Sequence, residues 1–414
     1  MLCGASIARY AAFAPPPEPD FAIIGGELGV SLLDCRTPGR HTVKSALRLA
    51  LTTAGLFAFA MPILPAHATS DSRPRPRVEV AFVLDTTGSM ASLIDGAKRK
   101  IWSIANAIVD ANPDAEIRIA LIGYRDRGDA YVTDVHALTG DIQGLYGDLV
   151  QYTADGGGDT PESVNEALDK AVRSLQWDSG GQTRKIIFLV GDAPPHMDYP
   201  NAPRYPEIVK AAVAKGIVVN TVQAGDAGDT RQIWQDIARR GNGRYLPIPQ
   251  DGGQIVEIPT PYDEDILQLQ QSLDDTVLPY GDGERQQAVR NKMELRKQAP
   301  APAQVDNSSF YSKKAGPKEV VTGEGDLTAD IANGRQSLDK VAASALPKVL
   351  QGKSEAERKA YVEEQLAKRK GLQERLAEIN RKRDAFVAAE RSKTGSKKAD
   401  SFDAAVQETL KQQL

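Results

Sequence analysis

Asp85-Thr86-Thr87-Gly88-Ser89 places one carboxylate and several hydroxyls at alternate positions directly after the apolar run Val78–Leu84. A buried strand that turns into a helix at such a point gathers hard oxygen donors, the kind that bind a small divalent cation. Two later segments extend the set. Gly156-Gly157-Gly158-Asp159-Thr160-Pro161-Glu162 offers another hydroxyl on a glycine-rich loop, and the apolar run Ile186–Val190 ends in Gly191-Asp192. The same residues admit plainer uses. Asp85 and Ser89 are common helix caps, and Asp159 suits an outer hydrogen-bond acceptor better than a direct ligand. The glycines suggest a phosphate cradle, but no Gly-Lys-Ser/Thr follows, so a P-loop is excluded. An aspartic-protease reading of residues 85–89 fails because an extra threonine interrupts Asp-Thr-Gly and no second copy exists. His196 reads as a polar loop residue, and Arg127-Gly128-Asp129 as a tripeptide that arises by chance in loops.

From Arg77 to Ile248 strand and helix patterns alternate, which argues a parallel sheet covered on both faces. Val78–Leu84 and Ile186–Val190 are continuous apolar runs, as central strands of such a sheet must be. Ile117–Ile122, Ile217–Val222 and Arg244–Ile248 supply further strands, and Tyr131–Leu138 alternates like a half-exposed edge. Helices are expected over Ser89–Asp110, with Ile94, Ala97, Ile101, Ile104 and Ile108 on one face, and over Pro161–Leu175, Tyr205–Lys215 and Thr230–Arg240. In a doubly wound sheet, ligands bind where strand order reverses, beyond the carboxyl ends of the strands. If the strands before Asp85 and Asp192 are neighbours, all three loops converge there.

This stretch resembles a von Willebrand factor A (vWA) domain with a metal-ion-dependent adhesion site. The family motif Asp-x-Ser-x-Ser is matched by Asp85-Thr86-Thr87-Gly88-Ser89, where Thr87 replaces the first serine and keeps its hydroxyl. The family's isolated threonine is matched by Thr160 and its late aspartate by Asp192. The wording of residues 85–90, 156–162 and 191–196 is similar to a microbial and extracellular-matrix branch. The resemblance implies an α/β, doubly wound, mostly parallel (Rossmann-like) domain over residues 77–250, followed by a helical, partly flexible C-terminal extension. It implies a magnesium ion, with Mn²⁺ and Ca²⁺ as alternatives, held directly or through water by Asp85, Thr87, Ser89, Thr160 and Asp192. One coordination position would stay open for the Asp or Glu of a protein partner. The implied function is a metal-dependent adhesion or scaffold module. Two rivals stand beside it: a magnesium-dependent hydrolase using Asp155 or Asp159 as base, and a scaffold assembled through the tail.

The remaining composition sets limits. The 414 residues are 41% hydrophobic and 26% charged, with a net charge of −4, which gives no support for nucleic-acid binding. Both cysteines, Cys3 and Cys35, precede the alternating region, and only His136 and His196 lie beyond residue 68. A Cys/His zinc site in that region is thereby excluded. No nucleophile–base pair stands out, so catalysis is not expected. Residues 40–68 read as an export signal: basic Arg40, Lys44 and Arg48, the apolar run Leu49–Leu64, and Ala66-His67-Ala68 before the cut. A start at Val43 makes residues 43–68 the signal peptide and residues 1–42 an upstream extension foreign to the protein. The expected location is the periplasm or cell envelope, with membrane contact only through an uncleaved signal. Residues 263–298 read as a helical segment, 299–335 as a linker rich in Pro, Gly, Ser and Lys, and 336–414 as a charged helical tail. Leu372, Leu376, Ile379 and Phe386 keep a heptad-like spacing that fits either a coiled coil or a docked amphipathic helix.

Overall fold

Strand β1 (Arg77–Asp85) is buried at every residue after the first, as a strand covered on both faces must be. With β2 (Glu116–Tyr124), β3 (Thr133–Thr139), β4 (Thr183–Gly191), β5 (Ile217–Ala224) and β6 (Asn242–Ile248) it builds one sheet in the order β3-β2-β1-β4-β5-β6. Every pairing is parallel except β2–β3, so the alternating Tyr131–Leu138 segment does supply the edge. The computed structural model describes residues 75–253, 257–314, 319–393 and 401–414. All belong to one of two compact units, Ser70–Leu414. The expected extension 1–42 and export signal 43–68 lie outside the described residues.

Helix α1 (Ala91–Ala111) carries the chain from β1 to β2, and the chain later returns to β4 on the other side of β1. Strand order therefore reverses between β1 and β4, and their carboxyl ends lie side by side, with Leu84 opposite Val190. Helix α2 (Ile142–Gln151), which the sequence reading missed, follows β3. Helices α3 (Val164–Asp169, continued by a π-turn to Ser174), α4 (Tyr205–Ala214) and α5 (Gly228–Arg240) follow on the chain. These last three cover one face, where Leu168, Val172, Ile208 and Trp234 meet Val83, Ile122 and Leu189.

The opposite face draws on the chain beyond β6. That region forms α6 (Asp263–Asp274), α7 (Gly283–Gln298), α8 (Ala301–Lys313), α9 (Leu327–Ala332), α10 (Glu355–Lys393) and α11 (Phe402–Gln413). The expected linker 299–335 is corrected: α8 and α9 lie within it, and α8 is buried. Phe310 and Tyr311 of α8 pack against Trp102 of α1 at ring-centroid distances of 6.0 and 5.7 Å. The composition misled because Pro302 sits in the first turn, where proline is tolerated, and Asn307-Ser308-Ser309 are buried polar residues rather than loop residues. The single helical segment 263–298 is also corrected to two helices separated by residues 275–282, within which Gly281 takes a φ of 102°. The tail divides into α10 and α11, preceded by short 3-10 turns.

Helix α11 completes the core. Phe402, Val406 and Leu410 are buried against the sheet, and the Phe402 ring meets Phe82 edge-on at 6.5 Å. Its first backbone N–H donates to the Gly252 carbonyl at 2.9 Å, and Gln413 exchanges amide hydrogen bonds with Asn220 at 3.0 and 2.8 Å. The heptad-like residues of α10 serve docking: Leu372, Leu376 and Ile379 pack with Leu269 and Leu273 of α6. Deeper in the extension the Arg369 guanidinium pairs with Asp326 at 2.7 Å, both groups buried. No described helix is long and apolar enough to cross a membrane.

Candidate functional site

Asp85 closes β1 at the point where strand order reverses and is fully buried. Its Oδ1 accepts from the Thr87 backbone N–H at 2.9 Å and from the Thr87 hydroxyl at 2.6 Å. The Thr87 and Ser89 hydroxyl oxygens stand 3.4 Å apart. No side chain caps the 3-10 turn Gly88–Met90 or the helix after it, so the simple capping role for Asp85 and Ser89 does not hold. Asp85 Oδ2 is buried beside the Tyr124 hydroxyl, which donates to the Val190 carbonyl at 3.2 Å, and it receives no well-formed hydrogen bond among the described residues. Burial pushes this carboxyl up to about 7; the bonds from Thr87 and the Tyr124 hydroxyl oppose the rise, and the charge of Asp192 adds to it. A buried carboxylate oxygen without a well-formed hydrogen bond is costly, and a cation beside it is the usual remedy.

The glycine-rich loop lies on top of this turn. Gly88 N–H donates to the Gly156 carbonyl at 3.2 Å, and Asp155 N–H donates to the Thr86 carbonyl at 3.1 Å. A Cβ on Gly157 would come within 2.7 Å of the Thr87 Cβ and 3.0 Å of Glu162 Oε1, so only glycine permits this approach. A third wall comes from β2. Asp129 Oδ2 accepts from Gly157 N–H at 3.2 Å and from Asp126 N–H at 3.1 Å. Arg127 pairs with Glu166 at 2.7 Å and lies over the Tyr199 ring. Arg127-Gly128-Asp129 is thus built into the loop structure.

At the end of β4, Gly191 packs so closely that a Cβ would lie 3.0 Å from Asp85 Oδ2. Asp192 follows, half-buried, its Oδ2 accepting from Gln250 Nε2 at 2.7 Å and its carbonyl from the Thr230 hydroxyl at 3.1 Å. Asp85, Thr87 and Ser89 are therefore brought together directly, and Asp192 stands at the neighbouring strand end. Thr160 is exposed on the loop, and no hydrogen bond joins it to the other four among the described residues.

Glu162, two residues on from Thr160, is the group the motif reading passed over. It is buried, its Oε2 is unpaired, and its carboxyl is pushed up to about 8 by burial and then by Asp85, Asp126, Asp129 and Asp192. The sequence cue was a carboxylate in the turn that ends a glycine loop. His196 belongs to the supporting wall: its Nδ1 meets Asp198 at 2.7 Å, and its ring stacks on Tyr199 at 3.8 Å. Asp126 accepts from the Ser163 hydroxyl at 2.8 Å and from the Tyr199 hydroxyl at 2.6 Å. Among the described residues no three His, Cys, Asp or Glu side chains group closely enough to hold a metal by themselves. An ion here would depend on Thr87, Ser89 and water as well as carboxylate, a donor set that suits a hard cation such as Mg²⁺.

Residues 79–259 match the family model of the von Willebrand factor A domain. They form a vWA domain. One curated relative, an ariadne-like RING finger protein of Acanthamoeba polyphaga mimivirus, is 29% identical over 119 residues. That match covers 29% of this chain and spans only 11% of the relative's length. Among solved structures, proximal thread matrix protein 1 from the mussel byssus is similar at 15% identity and a TM-score of 0.33, over 43% of each chain. Another structure of that mussel protein has a zinc-occupied MIDAS motif. The pilus adhesin SpaC from Lactobacillus rhamnosus GG is similar at 16% identity and a TM-score of 0.33, over 42% of this chain and 29% of that one. The vWA domain of SpRpn10 is similar at 15% identity and a TM-score of 0.32, over 43% of this chain and 89% of that one. In this chain the vWA domain does not stand alone, because α11 from outside the matched residues packs on its sheet and α8 packs on its helix α1.

Proposed function

We propose that the vWA domain binds a protein partner through a divalent cation, magnesium by the chemistry of its donors, held above the carboxyl ends of β1 and β4. vWA domains commonly mediate protein interactions. The observation that carries the reading for this chain is Asp85: a fully buried carboxylate at the strand switch point, with one oxygen tied to Thr87 and only the Tyr124 hydroxyl beside the other. Asp85, Thr87, Ser89 and Asp192 would hold the ion directly or through water, and Thr160 would reach it by movement of its exposed loop. Glu162 lies beside them, and a bound cation would favour the ionised form of its raised carboxyl. When bound, the ion would supply an electrophilic centre for an incoming carboxylate, and the chain's own residues would orient it.

The role is one of binding rather than catalysis. This reading is supported at the site itself, where the Ser163 hydroxyl donates to Asp126 and not to an imidazole, and His196 is engaged by Asp198. Asp155 and Asp159, the bases a hydrolase would need, are both exposed on the loop surface. We place the protein in the periplasm or cell envelope on the pattern of residues 40–68 alone. N-terminal sequencing of the exported chain should begin at Thr69; a mature protein that retains Leu49–Leu64 contradicts that placement.

The functional test is partner capture from the native envelope by the full chain, wild type and Ser89→Ala, with and without chelator. Capture should be lost in chelator, recovered with Mg²⁺, and weakened by Ser89→Ala, which removes one neutral ligand and no buried charge. Capture indifferent to both would move the function out of this site.

A further inference from the structure

Gln250 follows β6 and reaches across to the loops that end β1 and β4. Its Nε2 donates to Asp192 Oδ2 at 2.7 Å and lies 3.5 Å from the Ser89 carbonyl oxygen. The amide has only one way round here, because a carboxylate accepts and must face the nitrogen. The oxygen end of the amide is held by Gly225, in the turn after β5. Gly225 has a φ of 77°, and a Cβ there would lie 2.3 Å from Gln250 Oε1. Only glycine leaves the space that this carboxamide fills. The Gly225 N–H also donates to the Ile248 carbonyl at 3.0 Å, which ties the two loops together just before Gln250. On its backbone side Asp192 is held by the Thr230 hydroxyl, which donates to its carbonyl at 3.1 Å.

Each of the two carboxylates proposed for the cation thus has one oxygen already engaged. Asp85 Oδ1 accepts two bonds from Thr87, and Asp192 Oδ2 accepts from Gln250. Neither can offer both oxygens to one ion without breaking a hydrogen bond. Among the described residues no group of three acidic side chains could share an ion, so no further carboxylate makes up the difference. The distinction separates two common cations. Calcium takes roughly six to eight oxygens and often draws both oxygens of a carboxylate. Magnesium demands a near-octahedral shell, keeps several waters and needs only one or two carboxylates. The Thr87 bonds to Asp85 come from a proposed ligand in the same turn. Gln250 comes from another strand and is not among the proposed ligands, so its contact with Asp192 can be removed by itself.

Resting on the cation site proposed above, we infer that Gln250 selects magnesium over calcium there, by keeping Asp192 from offering both oxygens to the ion.

The test is calorimetric titration of Mg²⁺ and of Ca²⁺, in separate experiments, into the chelator-stripped full chain, wild type and Gln250→Met. Methionine keeps the length and bulk beside Gly225 and removes the donor. Wild type should bind Mg²⁺ more tightly than Ca²⁺. In Gln250→Met the Asp192 Oδ2 is released, and the ratio of calcium to magnesium affinity should rise by about tenfold, the scale of one hydrogen bond to a charged group. Gln250 is exposed, so the metal-free variant should unfold at the wild-type temperature. Gln250→Ala, which removes the bulk as well, should move the ratio the same way. Loss of both affinities by the same factor marks a merely structural role and overturns the inference, as does a wild type that prefers Ca²⁺. An unchanged ratio, with Mg²⁺ still bound by wild type and both variants, overturns the role of Gln250 and leaves the cation site standing. Binding of neither ion by wild type overturns the cation site and the inference with it.

Discussion

Phe402→Ala tests whether the C-terminal helix is part of the domain that carries the site. Phe402 is 6% exposed, its ring stands 6.5 Å from Phe82, and Phe82 in turn stacks on Phe188 at 5.5 Å. Losing the transfer free energy of a buried phenylalanine removes roughly 1.5–3 kcal/mol, and losing an aromatic pair removes about 0.5–1.5 kcal/mol more. A cavity of about 30 Å³ already borders Phe402, Leu84 and Ile101, so truncation enlarges an existing void rather than opening an isolated one. The sum, roughly 2–4.5 kcal/mol, overlaps the range of roughly 3–5 kcal/mol seen for buried Phe→Ala changes. Because the neighbouring side chains already border a void and can settle into it, the lower half of that range is expected. Urea unfolding of the full chain should show a lower midpoint at unchanged m-value. Lys411→Ala, on the exposed side of the same helix, should stay within about 0.5 kcal/mol of wild type. A Phe402→Ala loss below about 1 kcal/mol, matching Lys411→Ala, would refute the seating of α11 in the core.

Three further outcomes follow from the buried charges and the cation site. Asp85 rises from an ordinary 3.8 to about 7 on folding, so the folded chain holds this proton more tightly than the unfolded one. In chelator its stabilising contribution is present below about pH 4 and is lost as pH rises through 7, an effect of order 4 kcal/mol at most. Asp85→Asn should flatten that decline, measured by urea unfolding across pH 5–8; an unchanged pH profile would argue against a fully buried carboxyl. Arg369→Met should destabilise by roughly 3–5 kcal/mol, because Asp326 is left charged and buried. A loss under about 1 kcal/mol in equilibrium unfolding would mean that water reaches that pair. Finally, Mg²⁺ at about 100-fold over its dissociation constant should stabilise the full chain by roughly 2.7 kcal/mol. Asp192→Ala should remove most of that gain.

The sheet was legible because its signals are local. Val78–Leu84 and Ile186–Val190 are continuous apolar runs bounded by polar turns, and burial on both faces leaves few other ways to use them. Asp85, Thr87 and Ser89 were legible for the same reason, lying within five residues of one strand end. Glu162 was not, because its importance arises from burial beneath Gly157 and from the charges of Asp85 and Asp126, which sequence spacing does not reveal. Thr160 shows the converse: the motif names it, yet its loop holds it exposed. The extension was misread where composition stood in for packing. Asn307, Ser308 and Ser309 have loop-like side chains, yet they lie on a helix wedged between α1, α6 and α10. Phe402, Val406 and Leu410 do show helical spacing, but nothing in the sequence says that they return across the chain to the face beside α1.

The most direct test of the account is calorimetric titration of Mg²⁺ into the chelator-stripped full chain, wild type, Asp85→Ala and Ser89→Ala. The account predicts a single site in wild type, its loss in Asp85→Ala, and weaker but measurable binding in Ser89→Ala. No binding in wild type, or undiminished binding in Asp85→Ala, would contradict it.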